Sequence, residues 1–437
     1  MALPFVVLES RRGCWLVGTD PTFWSTIAVD TKRGVTISWK WLAVAGAHES
    51  ESRLIFSQPV RDSRHALDHW FALATPGIPR GPDWLHEIAL QDYDFFSKNG
   101  RGWFADIDAV CKFIPRAQRH RAIFTLHGWY GAVGDYGFEF GTNRFRERWL
   151  AMPHMRKREI QRRNSTRPVG DGAYPTPDSY VFRNLKNYRP VPMDWNELRR
   201  RLRYAKQRGL RTAFYVMTGM QAPANEPWLR DSAMTLSKNA CIWIGPDAMG
   251  RQACLSPLHP AVRERYLAYV AAILERGGDW IDALVMDEAY YVGYGSLGPK
   301  RCPGYADRAQ MTLIREMAAL CHSYRRDLAF LTADLLGHPV LERRYFPYSL
   351  FADGIYQDSW CFTQTFDCTR FPAWRNTVWI CNWAPVSNIA FTRWSVTTQR
   401  GTVAISNGCF GDDTGIAEMA PAMRAEIERL WRLRTRE

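Results

Sequence analysis

The stretch from Asp282 to Tyr291, DALVMDEAYY, limits the possible folds of this 437-residue chain more than any other. Ala283, Leu284, Val285 and Met286 form a short, unbroken apolar run. A strand with one wet face would alternate; an unbroken run suits a strand covered on both faces, as in a parallel sheet. Two carboxylates, Asp287 and Glu288, follow where such a strand stops. In a (β/α)₈ barrel the carboxyl ends of all strands open onto one mouth, so an acid there reads as catalytic or ligand-binding. Taken alone, Asp287 also suits a surface position or a helix N-cap.

The rest of the chain has a matching rhythm. Apolar strand text recurs in AIFTL from Ala122, RTAFYVMTG from Arg211, LAFLTAD ending at Asp334, FADGIYQDSW from Phe351, TVWICNW from Thr377 and GTVAISNG from Gly401. Helical text intervenes over residues 194–207, 260–276 and 305–324. Pro260 suits a first turn, and Gly209, Gly277 and Gly278 suit helix ends. Strand, polar residue, helix and strand again is the step of an α/β barrel. With ALVM this makes seven strands, and the eighth is expected within or near a long Gly-, Pro- and Arg-rich insertion at about 131–192. Upstream, CWLVGTD, STIAVDT, VTISWKWLAVAG and RLIFSQP read as short strands separated by turn residues. The expected fold class is α/β: a (β/α)₈ TIM barrel preceded by a small β-rich, partial β-sandwich domain. Its expected divisions are residues 1–75 for the β-rich domain, a Pro/Gly-rich linker at 76–84 and the barrel over 85–437.

Composition narrows the function classes. No apolar run approaches the roughly 20 residues needed to cross a bilayer, so no membrane partner is expected. MALPFVVLESRRG has only a short apolar piece before charge, which reads as a soluble, cytoplasmic chain or one whose signal has been removed. The ten cysteines form no CxxC pair, and reduced thiols are the default, although Cys241 and Cys254 flank a possible hairpin. The net charge of +13 raises the question of a polyanionic partner. In the densest basic stretch, WNELRRRLRYAKQRGL, Trp195, Leu198, Leu202 and Ala205 share one helical face and leave Arg199, Arg200, Arg203 and Lys206 to the others. That pattern is an amphipathic helix with a solvated basic side, and nucleic acid is disfavoured as a partner. His65 and His69 are spaced like helical metal ligands but lack an evident third, so no metal is expected. With no GxSxG, Walker A or GxGxxG signature in a strand-to-helix setting, no cofactor is expected either.

The residues at predicted strand ends suit glycoside chemistry. Cleaving a glycosidic bond takes two carboxyl groups, one to attack or stabilise the anomeric carbon and one to protonate the leaving oxygen. Asp287 is the candidate nucleophile, with Glu288 beside it in a supporting place. Asp353 is the candidate acid/base, and Asp358 competes with it. Asp334, His127 and Asn382 are candidates for binding sugar hydroxyls, and Trp129, Tyr290, Trp360 and Trp383 for stacking on sugar rings. Loop caps or ion pairs are the structural reading of Asp353 and Asp358, and core packing that of any single Trp.

KQRGLRTAFYV, DWIDALVMD and FADGIYQD occur in an order and spacing that resemble the (β/α)₈ glycoside hydrolases, most nearly the α-galactosidase-like clan of families 27, 31 and 36. The resemblance covers residues 120–410. It implies a nucleophile at Asp287, an acid/base on the FADGIYQD strand and a β-sandwich before the barrel. The clan often carries a lysine two residues before the nucleophile, where this chain has Val285. The expected function is a retaining glycoside hydrolase or transglycosylase acting on an oligo- or polysaccharide. A non-catalytic carbohydrate-binding protein on a degenerate barrel and an enzyme acting on an anionic polysaccharide are the alternatives.

Overall fold

The computed structural model describes residues 5–19, 25–30, 32–39, 54–56, 59–62, 65–66, 69, 73, 81–94, 102–126, 195–218, 220–223, 228–237, 252–287, 304–333, 352–357, 376–379, 389, 392–394, 396–397, 402–407, 416–417 and 419–436. The amino-terminal strands are β1 (Phe5–Ser10), β2 (Gly13–Thr19), β3 (Ser25–Asp30), β4 (Gly34–Trp39) and β5 (Leu54–Phe56). β2 pairs antiparallel with β1 and β5, and β3 with β4. Alternation decides which face is covered: Cys14, Leu16 and Ile55 are buried, whereas Leu54 and Phe56 on either side of Ile55 are exposed.

The centre of the fold is an eight-stranded sheet. Its members are β6 (Leu90–Asp94), β7 (Ala122–Leu126), β8 (Arg211–Thr218), β12 (Ala283–Asp287), β13 (Ala329–Ala333), β14 (Gly354–Gln357), β15 (Asn376–Trp379) and β16 (Val403–Asn407). Between β8 and β12 the short strands β9 (Gln221–Pro223), β10 (Thr235–Ser237) and β11 (Gln252–Leu255) form a separate antiparallel sheet. All recorded pairs in the large sheet are parallel. From β6 to β15 the strands lie in chain order, and the last strand, β16, lies against the first, β6. The two margins of the sheet are therefore consecutive strands, β15 and β16.

Parallel neighbours need a crossover, and in each connection from β6 to β13 a described helix takes part in it. The helices are α1 (Gly102–Phe113), α2 (Trp195–Gln207), α3 (Pro260–Gly277), α4 (Gly304–Tyr324) and α5 (Pro421–Thr435). In α2 the buried positions are Leu198, Arg201, Leu202 and Ala205, an i, i+3, i+4, i+7 stripe. The basic side of α2 is engaged as well as solvated: Arg200 and Arg203 are exposed, yet its cations find partners. Arg199 donates to the Arg276 carbonyl, Arg203 lies over Trp280 and Lys206 reaches Asp282. Long cationic side chains cover apolar surface with their stems while their heads find partners, which the helical pattern alone does not reveal.

Two apolar clusters sit on opposite faces of the sheet. Phe124, Leu126, Phe214, Val216, Leu284, Met286 and Phe330 pack with the helices. Ile123, Ala213, Tyr215, Ala283, Val285, Ala329 and Leu331 form the other cluster with Trp84, Leu85 and Ile88. Those last residues come from the short 3₁₀ turn Asp83–Glu87 and the Ile88 that follows it. Trp84 donates from its indole nitrogen to the Asp327 carbonyl at 2.9 Å.

The eighth strand lies upstream of α1, not near the insertion as expected. LQDYD escapes notice because Gln91 and Asp92 interrupt its apolar text, yet both are buried. The insertion at 131–192 lies outside the described residues.

Candidate functional site

Because the strands run parallel, their carboxyl ends share one edge of the sheet. The ends are Asp94, Leu126, Thr218, Asp287, Ala333, Gln357, Trp379 and Asn407. Asp287 is paired with Thr218 of β8, and Asp94 lies between Asn407 and Leu126. β8 carries one extra residue, Val216, where Val285 and Met286 of β12 pair with Tyr215 and Met217. Such a bulge bends a strand locally and is frequent beside active sites. The backbone thus brings Asp94, Asp287 and Asn407 to one edge. Asp94 was invisible to sequence reasoning for the same reason as its strand.

His127, Glu288, Asp334 and Asp358 each follow directly on the last residue of a strand in the chain. Together with Trp129, Tyr290, Trp360, Asn382 and Trp383, they lie outside the described residues.

Asp353 is placed differently from the expectation. It precedes the first residue of β14 and stands at the level of Phe330, near the amino end of the sheet. Its Oδ2 accepts from the Phe330 amide at 2.7 Å and lies 2.9 Å from Nε2 of His322, in the last turn of α4. The hydrogen bond to Asp353 raises the His322 pKa above the usual imidazole value and outweighs burial, which lowers it. This buried carboxylate ties a helix end to two strands at the edge opposite Asp287. FADGIYQD has an acid before its strand and another after it, and the one before, Asp353, lies at the amino edge.

β12 repeats the arrangement. Asp282, just before the strand, is 2% exposed. Lys206 Nζ donates to both its oxygens, at 2.8 and 2.9 Å, and the Thr212 amide donates to Oδ2 at 2.8 Å. Arg211 adds a longer contact at 3.4 Å. In both cases an aspartate preceding one strand accepts an amide of its neighbour and anchors the amino edge. Among the described residues, no three His, Cys, Asp or Glu side chains gather into a metal-binding group. Among the same residues, no helix is long and apolar enough to cross a membrane.

No protein-family model and no curated protein matches the sequence. Solved structures do match in fold. A family 36 α-galactosidase from Geobacillus stearothermophilus, in complex with 1-deoxygalactonojirimycin, superimposes with a TM-score of 0.50 at 11% identity, over 99% of this chain and 58% of that one. A second family 36 α-galactosidase from the same organism gives 0.50 at 12% identity, over 99% and 55%. A family 31 dextranase from Flavobacterium johnsoniae, in complex with glucose, gives 0.53 at 9% identity, over 99% and 48%. The chain thus spans about half to three-fifths of the length of these proteins. In fold, the chain is similar, at a distance, to the α-glycosidases of glycoside hydrolase families 36 and 31.

Proposed function

We propose that the chain is a retaining glycoside hydrolase, or a transglycosylase using the same covalent intermediate, built on a (β/α)₈ barrel closed between β15 and β16. One observation carries this reading: Asp287 ends a central strand at the carboxyl edge of a parallel sheet whose last strand lies against its first. That is where a barrel gathers its catalytic side chains. The neighbours' identity as α-glycosidases supports an oligo- or polysaccharide with an α-linkage as the substrate class.

In this mechanism Asp287 attacks the anomeric carbon, and a second carboxyl group protonates the leaving oxygen and then activates water. Asp358, directly after β14, takes the acid/base role in place of Asp353, whose carboxylate is engaged at the opposite edge. Glu288 supports the nucleophile, while His127, Asp334 and Asn382 bind hydroxyls and Trp129, Tyr290, Trp360 and Trp383 stack on sugar rings. The domain division we propose keeps a β-rich unit in front of the barrel. Its boundary lies before Gly81, because Trp84 packs inside the sheet's second cluster and Gly81 against Asp353.

A panel of aryl α-glycosides and α-linked oligosaccharides, followed by NMR of the product anomer, tests this reading. Asp287→Gly is expected to lower kcat by more than about 100-fold, as expected when a carboxylate acting in the transition state is lost. Added azide should restore turnover and give a glycosyl azide of inverted configuration. Turnover by Asp287→Gly within a few-fold of the unsubstituted protein, without azide, overturns the assignment.

A further inference from the structure

Deeper in the same sheet lie polar groups that no protein atom satisfies. Gln91 in β6 is 1% exposed and Thr125 in β7 is fully buried. Neither amide atom of Gln91 nor the Thr125 hydroxyl has a hydrogen-bond partner. Residues paired across parallel strands share a face, and Gln91 pairs with Ile123 and Ala404, Thr125 with Ala213. Ile123 and Ala213 belong to the cluster facing away from the helices, so Gln91 and Thr125 face the same way. Thr125 is the last residue but one of β7, and Gln91 lies three residues before Asp94.

Unpaired buried polar groups are costly, and a native protein that keeps them has some other partner for them. Ile123, Ala213 and Ala404 have no side-chain donor or acceptor to offer. An amide and a hydroxyl together present donors and acceptors without charge, the complement of a sugar diol rather than of a phosphate or carboxylate.

We infer that Gln91 and Thr125 form the polar floor of the sugar cleft and determine specificity by hydrogen-bonding hydroxyls of the terminal sugar residue. This rests on the glycosidase reading and deepens it. A site built to pair with a hydroxyl rejects the analogue that lacks it, because its own groups are then left unpaired.

The test uses the full chain, titrated with galactose, glucose and their monodeoxy analogues by calorimetry, together with Gln91→Met, Thr125→Val and Thr125→Ser. The unsubstituted protein should bind one parent hexose and discriminate against at least one deoxy analogue. Each apolar variant should weaken the parent hexose about fivefold or more and erase discrimination at one hydroxyl. Its unfolding temperature should hold or rise, since an unpaired polar group has been removed, and Thr125→Ser should retain binding. If the variants bind and discriminate like the unsubstituted protein while melting at lower temperature, internal water satisfies these groups and the inference falls alone. If the unsubstituted protein binds neither hexose nor any deoxy analogue, the glycosidase reading falls and takes the inference with it.

Discussion

Asp353 Oδ2 sits 2.9 Å from His322 Nε2, and the same oxygen accepts the Phe330 amide at 2.7 Å. This contact between a strand start and a helix end separates two roles that FADGIYQD alone leaves merged. The acid before the strand fastens the amino edge of the sheet, and the acid/base role we propose falls to the one after it.

The pair makes stability depend on pH with a definite sign. The His322 pKa is raised in the folded protein, chiefly by the hydrogen bond to Asp353. Its contribution is therefore fully present below the usual imidazole value of 6.5 and is lost as pH rises through the raised value. Urea unfolding of the unsubstituted protein should show a midpoint that falls across that window, and His322→Gln should flatten the dependence. Asp353→Asn should lower stability yet leave any glycosidase kcat of the folded protein within a few-fold. A loss of turnover as large as that of Asp287→Gly, in a protein still folded by circular dichroism, would restore Asp353 to catalysis.

Asp282 should behave as a buried ionic anchor. It is 2% exposed and takes Lys206 at 2.8 and 2.9 Å and the Thr212 amide at 2.8 Å. Asp282→Ala leaves Lys206 and that amide without their acceptor and is expected to cost about 3–5 kcal/mol, the usual penalty for breaking a buried pair from one side. Denaturant titration measures it. A Lys206→Met/Asp282→Leu double variant should recover only part of the loss, because it no longer strands Lys206 but still leaves the Thr212 amide, Arg211 and Arg325 without this carboxylate.

Gly81 is expected to tolerate no side chain. A Cβ there would lie 2.6 Å from Asp353 Cβ and 2.8 Å from its carbonyl oxygen. Gly81→Ala must therefore push the start of β14 outward, at about 1–3 kcal/mol of overpacking. A lower melting temperature, with the His322 titration shifted in an NMR pH series, is the expected signature. A variant as stable as the unsubstituted protein would mean that the approach of residue 81 to the strand is looser than its geometry implies.

Sequence alone determined that this chain builds a parallel sheet with an acid at the end of a central strand. ALVM is apolar on both faces, and only a covered strand can use such text. The amphipathic stripe of α2 and the helical span leading into β12 were equally legible, since a 3.6-residue period needs no partner to be seen. LQDYD was not legible, because the burial of Gln91 and Asp92 depends on strands distant in the chain. Nor does any local pattern say at which edge of the sheet an acid of a D-x-x-x-x-D stretch lies. Only register against neighbouring strands puts Asp282 and Asp353 at the amino edge and Asp287 at the carboxyl edge. Tertiary structure made that choice by hydrogen bonding: Asp282 and Asp353 are consumed by amides and cations at the amino edge, and Asp287 ends its strand at the opposite one.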